Sequence, residues 1–232
     1  MVDARLTEIP PTFAATRDAL HSVAEQIVSP ARAAATGDEF SLAVVAGGFG
    51  TPPLPGGGCV RVDGLDLVVE GEDGAERRAP LTALSESAAA VGLPSEGLSD
   101  ELLALDPAAA ALLASAFALA DGVLRAFYDE AISVAAPTGN QLWPEHFDIA
   151  IEHGEEPAGK RATYGLSPGD AAHSEPYFYV APWTAPSDLT VWTAVGFTGA
   201  ELNWAQLLAA EDPCAAGLEF FRQYRDALAL QH

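Results

Sequence analysis

QLWPEHFDIAIEHGEEPAGKRATYGLSPGDAAHSEPYFYVAPW, residues 141–183, is the stretch on which the reading of this chain turns. Residues 142–152 alternate. As a strand they send Phe147, Ile149 and Ile151 to one face and His146, Asp148 and Glu152 to the other. Residues 176–181 repeat the pattern, with Tyr177 and Tyr179 opposite Phe178. Strands with one apolar and one polar face belong to an antiparallel sheet resting on a core by one side. The Phe/Ile side is core, and the other side holds whatever chemistry the segment has. A third strand is predicted at 189–195.

Upstream, residues 12–34 place Phe13, Leu20, Val23, Ile27 and Val28 at helical spacing, with Pro10-Pro11 blocking extension and Pro30 expected to kink or end the helix. A strand is predicted at 40–46. The run GGFGTPPLPGGG that follows is too rich in Gly and Pro for regular structure. Short strands are predicted at 60–62, 65–70 and 76–79, around the turn pairs Asp63-Gly64 and Asp73-Gly74. A weak helix near 83–91 leads to a Pro/Gly/Ser stretch at 92–99. The strongest helix is 107–135. Asp106 is its cap, Pro107 its first residue, and Leu113, Phe117, Ala120, Leu124, Phe127, Ala131 and Val134 form its stripe, with Pro137, Gly139 and Asn140 ending it. A last helix at 213–230 opens at Asp212-Pro213 and buries Leu218, Phe221, Tyr224 and Leu228. The fold class is therefore α+β. A mainly antiparallel sheet in two similar helix-plus-strands halves, 1–97 and 98–232 of a single domain, packs against the long helices.

The composition of these 232 residues, 49% hydrophobic and 19% charged, is that of a globular chain. The formal net charge is −22 and Lys160 is the only lysine. Such a surface repels phosphate backbones and anionic membranes, so neither nucleic acid nor a membrane is an expected partner. Cys59 and Cys214 lack metal-type spacing and read as reduced thiols. MVDARLTEIPP has no basic stretch leading into an apolar core, and the most apolar run, 108–120, is too short to span a bilayer. A cytoplasmic location is the simplest expectation.

His146 and Asp148, two apart on a strand, would form an acid–base or metal-binding pair if their face is covered, and ordinary solvated residues if it is open. His153 and His173, with Asp170 and Glu175, would extend a metal shell, but the spacing matches no zinc signature. Gly165-Leu166-Ser167-Pro168-Gly169 has the letters of a serine-hydrolase elbow. The elbow needs an N–H on the residue after the serine and a helix beyond it, and Pro168 has no N–H. Ser167 therefore reads as a turn residue. Gly47-Gly48-Phe49-Gly50-Thr51 lacks the Gly-Lys-Ser/Thr ending of a phosphate loop. His21 lies at the edge of the first helix stripe and matters only if that helix covers the same pocket. Trp143, Tyr164, Tyr177, Tyr179, Trp183 and Trp192 supply walls for an organic ligand, or a core rim or oligomer contact.

Several segments, taken in order, resemble an uncharacterised bacterial family of unknown function. They are Leu20-His21, Gln26-Ile27-Val28 and Arg32 on the first helix, Gly50-Thr51, and the hairpin VRVDGLDLVVEGEDG. Trp143 with Phe147-Asp148-Ile149-Ala150, and the tyrosine-rich strand at Tyr177, complete the likeness. His146 departs from it, standing where a small polar residue is expected. The resemblance implies the layout and no activity. The leading expectation is a small-molecule binding protein, or an enzyme, with a pocket of His146, Asp148, Trp143, Tyr177, Tyr179, Trp183 and His21. Cofactor and reaction are not specified. The alternatives are a non-catalytic homo-oligomeric or interaction module, and a metal-dependent hydrolase using His146, Asp148 and His173.

Overall fold

The computed structural model of the chain describes residues 6–131 and 138–230. It is an α+β protein with two antiparallel five-stranded sheets, each a meander in chain order. The chain falls into two compact units. One comprises Ile9–Ala118 and Gln141–Phe147; the other contains Leu119–Asn140, Asp148–His232 and the residues up to Glu8. This division runs through the long central helix and does not follow residues 92–99.

The first unit opens with α1 (Phe13–Val23), a π-helical turn at Ala24–Val28, and α2 (Ser29–Thr36). Pro30 does not end the helix. A proline ring cannot donate an N–H and crowds the carbonyl four residues earlier, and the wider π turn just ahead of Pro30 makes room for that ring. Five strands follow: β1 (Ala43–Val45), β2 (Gly48–Gly50), β3 (Cys59–Asp63), β4 (Asp66–Glu70) and β5 (Glu76–Pro80). The existence of β2 corrects the expectation that the glycine-rich run has no regular structure. A Cβ at Gly48 would lie 2.7 Å from the Val62 carbonyl oxygen, and one at Gly50 would lie 2.6 Å from Arg61 Cβ. Glycine is what lets this strand pair so closely with β3. Register places Phe49, Val62, Leu67 and Ala79 on one face. Arg61, Val68 and Arg78 share the other, where ion pairs link Arg61 and Arg78 to Asp63 and Glu76.

After α3 (Leu84–Ala90) comes α4 (Pro107–Ala131), which belongs to the first unit up to Ala118. Asp106 caps it by accepting from the Ala109 N–H at 2.9 Å. Its expected continuation to 135, with Val134 and the stop at Pro137, lies outside the described residues. Among the described residues α4 is the one helix long and apolar enough to cross a membrane. Its stripe of Leu113, Phe117, Ala120, Leu124 and Phe127 is buried, as in a core helix.

The expected single strand over 142–152 is two strands, β6 (Gln141–Trp143) and β7 (Asp148–His153). Pro144 initiates a turn in which the Phe147 N–H donates to the Trp143 carbonyl at 2.7 Å. Phe147 itself takes the left-handed conformation, φ 54°. The alternation read across this point was interrupted by a turn that the spacing does not show.

In the second unit, β7 pairs with β8 (Ala162–Ser167), β8 with β9 (Tyr177–Pro182), and β9 with β10 (Ala200–Asn203). No strand forms at 189–195, which is turn and irregular chain. Trp192 from that segment packs on Tyr224, ring centroids 5.0 Å apart, and the Tyr224 hydroxyl donates to the Val191 carbonyl. A short α5 (Trp204–Ala209) starts from an Asn203/Gln206 capping box. The final α6 (Pro213–Ala229) is capped by Asp212, which accepts from the Cys214 and Ala215 N–H groups. It buries Gly217, Phe220, Phe221, Tyr224 and Leu228, with Phe220 rather than Leu218 in the stripe.

The core of this unit lies on one face of its sheet. Phe127, from the part of α4 that belongs here, meets Tyr164 at 4.8 Å and Phe221 at 5.4 Å between ring centroids. Phe221 also takes the edge of Phe178. α6 approaches β9 closely because residue 217 is glycine: a Cβ there would stand 3.0 Å from the Phe178 ring.

Candidate functional site

The opposite face of the same sheet is polar. Cross-strand register aligns Ala150 with Gly165 and Tyr179, and Ser167 with Tyr177. The period of two then adds Asp148 beside Ala150, and β10 contributes Glu201 opposite Tyr179. Asp148 is only 8% exposed. Its Oδ2 accepts a short hydrogen bond from the Tyr179 hydroxyl. The tyrosine must cross β8 to reach it, and Gly165 clears the way. A Cβ at Gly165 would lie 2.9 Å from Tyr179 Cε1 and 2.6 Å from the Ile149 carbonyl oxygen.

Asp148 and Tyr179 act on one another electrostatically. Burial, and then the adjacent Asp148 charge, push the Tyr179 phenol well above its ordinary range. Tyr179 is thus a neutral donor held against a carboxylate. Burial pushes the neighbouring Tyr177 phenol up to about 12, opposed by its hydrogen bond with Ser167.

The loop after β8 closes on this face. Asp170 Oδ1 accepts from the Ala172 and His173 N–H groups, and the Asp170 N–H donates to the His173 carbonyl at 2.7 Å. Burial raises the Asp170 carboxyl, but these two N–H groups and the nearby His173 outweigh it and hold the group below its ordinary value. The His173 ring lies on Tyr177, centroids 4.3 Å apart, with Nε2 3.0 Å from Glu201 Oε2 and Nδ1 3.5 Å from Asp170 Oδ1. The Tyr177 hydroxyl faces Asp170 Oδ2 at 3.4 Å. Phe197 sets its ring edge-on to Tyr179.

Several expectations are corrected by these positions. His146 is not on a strand with Asp148. It is exposed in the turn before β7, while Asp148 is buried as the first residue of that strand. Tyr179 is a hydrogen-bond partner of Asp148, and Arg125 pairs with Asp121. His21, in the first unit, stacks on Phe147 at 5.0 Å with its Nε2 2.8 Å from the Pro144 carbonyl oxygen. Trp143 belongs to the first unit with it.

Trp183 is 47% exposed and lies beyond the Pro182 end of β9. β8 separates that end from Asp148 by about 17 Å, from the rise of a strand. There Arg161 stacks over its ring at 4.6 Å, and its indole N–H donates to Thr163. His153 faces the core and meets Phe127 and Tyr164. Among the described residues no group of three or more His, Cys, Asp or Glu side chains is arranged to hold a metal ion. Ser167 ends β8 and its Oγ accepts from the Gly169 N–H at 3.1 Å; no helix follows it. The turn role expected for Ser167 is what the chain shows.

Sequence reading missed Gly165, Glu201 and Phe197. For Gly165 a signal existed, since Thr163, Gly165 and Ser167 alternate with Tyr164 and Leu166. No family model matches the chain, and no curated protein or solved structure matches it either.

Proposed function

We propose that the protein binds a small organic molecule at the Asp148–Tyr179 face, in the cytoplasm. The carrying observation is a carboxylate kept buried on a sheet face that Gly165 and Ala150 leave low, with Tyr177, Tyr179 and Phe197 around it. Rings beside a few fixed polar groups suit an organic ligand. Asp148 serves as acceptor, Ser167 as a small polar contact, and Tyr177 and Tyr179 as walls. His173 and Tyr179 are the groups a reaction would use for proton transfer.

The test is a thermal-shift screen of small metabolites against the wild type, Asp148→Asn and Tyr179→Phe. A ligand at a hundred times its Kd adds about 2.7 kcal/mol, which at roughly 2–4 °C per kcal/mol for a chain this size raises Tm by about 5–10 °C. The proposal expects such a shift in the wild type and its loss in both variants. A hit that survives both substitutions would place binding elsewhere. A second reading, a self-associating interaction module, draws on the exposed apolar side chains Leu189, Val191, Val195 and Trp183. Sedimentation velocity separates the two: a dimer abolished by Val195→Asp favours the second.

A further inference from the structure

The segment between β8 and β9, residues 168–176, is a strap folded on itself. Asp170 and His173 are joined by two hydrogen bonds, and a third from the Ala172 N–H to Asp170 closes the turn between them. At its start Gly169 has φ 98°, a conformation open to glycine and strained for other residues. The His173 side chain ties the strap to the sheet through its contact with Glu201 on β10 and its stacking on Tyr177 of β9, and Asp170 Oδ2 adds a contact with the Tyr177 hydroxyl. Glu201 Oε2 also accepts from the Val195 N–H at 3.4 Å, so the same carboxylate gathers the loop before β10.

We propose that His173 is a pH-sensitive latch, holding the strap over Tyr177 as an imidazolium and releasing it when it loses its proton. The titratable groups facing the ring are Asp170 on its own segment, Tyr177 on β9 and Glu201 on β10. Only an imidazolium carries an N–H on both ring nitrogens. A neutral ring can donate to Asp170 or to Glu201 but not to both, and it leaves two carboxylates facing each other without a cation between them. Histidine makes that change between about pH 5 and 8. With the latch open, Tyr177 and Ser167, both more than nine-tenths buried, lose their cover. The device would regulate entry to the face assigned above to ligand, and it stands on its own geometry whether or not a ligand is found.

Hydroxyl-radical footprinting of the full chain without ligand, from pH 5 to pH 8, tests it. Tyr177 oxidation is read relative to that of Tyr164, which is buried in the core. The latch expects relative Tyr177 labelling to rise at least threefold with pH in the wild type. In His173→Gln it should be high and flat, and in Glu201→Gln the rise should move to lower pH. Flat labelling in the wild type overturns the proposal, as does a wild-type rise retained in His173→Gln. If His173→Gln exposes Tyr164 and so has lost its fold, Glu201→Gln decides: an unmoved rise overturns the latch.

Discussion

The sheet of β1–β5 and the sheet segment of β7–β10 are both antiparallel meanders with one apolar face, and they differ in what their polar faces become. On β3–β5 the polar face is a lattice of solvated ion pairs, with Asp63 between Arg61 and Arg78 and Glu76 closing the ring. On β7–β9 the Asp148 end of the polar face is buried, and that carboxylate has a phenol for partner where the other sheet uses guanidinium groups. In water an arginine costs little to place and the pair contributes little. Out of water every polar group needs a fitted partner, and the backbone must leave room for it, as Gly165 does. A sheet face that keeps a buried carboxylate is therefore the more informative of the two.

The sharpest way to break the contrast is to fill the space above β8. Gly165→Val drives a side chain into Tyr179 and the Ile149 carbonyl. Overpacking and a broken buried hydrogen bond together should cost about 3 kcal/mol or more. By chemical denaturation that appears as a lower midpoint, and by calorimetry as a Tm lower by roughly 6–12 °C. A variant as stable as the wild type would show that Tyr179 does not cross over Gly165.

Removing only the phenol hydroxyl is gentler. Tyr179→Phe removes the phenol's hydrogen bond to Asp148 and should cost about 1–3 kcal/mol. The double variant with Asp148→Asn should lose less than the sum of the singles. Additive losses would mean that the two residues do not interact.

The two faces should also fail at opposite ends of the pH scale. Tyr177 and Tyr179 have folded pKa values raised above the free phenol. Their contribution is whole below the unfolded value near 10 and is lost as pH climbs through the raised values, about 12 for Tyr177. Asp63 is held below its ordinary value by hydrogen bonds from Arg78 and Arg61. Its contribution is present above the unfolded carboxyl value and disappears as pH falls through the depressed one. Melting curves from pH 9 to 12 should show a stability loss that Tyr179→Phe flattens and Asp63→Asn leaves untouched.

The smallest effect is expected on the exposed lattice. Asp63→Asn should change stability by no more than about 1 kcal/mol at low salt. In 1 M salt, where screening acts over about 3 Å, the difference should vanish. A larger loss that resists salt would show that this lattice, too, is effectively buried.

Asp106-Pro107 and Asp212-Pro213 announced α4 and α6 because caps are local chemistry, and the alternation of Val60 to Glu70 around Asp63-Gly64 announced a hairpin for the same reason. The pair His146/Asp148 was misplaced because period two assumes an unbroken strand, and the left-handed Phe147 breaks it. β2 and β8 were hidden by glycines that look like loop residues. Their role is to admit a neighbour, which spacing along one chain does not record. Tyr177 and Tyr179 were placed on one face correctly, whereas Trp183 was grouped with them by nearness in sequence although it sits at the far end of β9.

Taken alone, the sequence determined the α+β class, the helix starts and the apolar sides of the strands, because propensity, capping and periodicity act over a few residues. It also determined a strongly acidic surface, which is a sum over side chains. Tertiary structure alone decided that Asp148 is buried, that its partner is a tyrosine 31 residues away, and that His173 meets Glu201 across 28 residues. Those pairings depend on which strands lie side by side and in what register, and that is settled only when the whole sheet closes on its core.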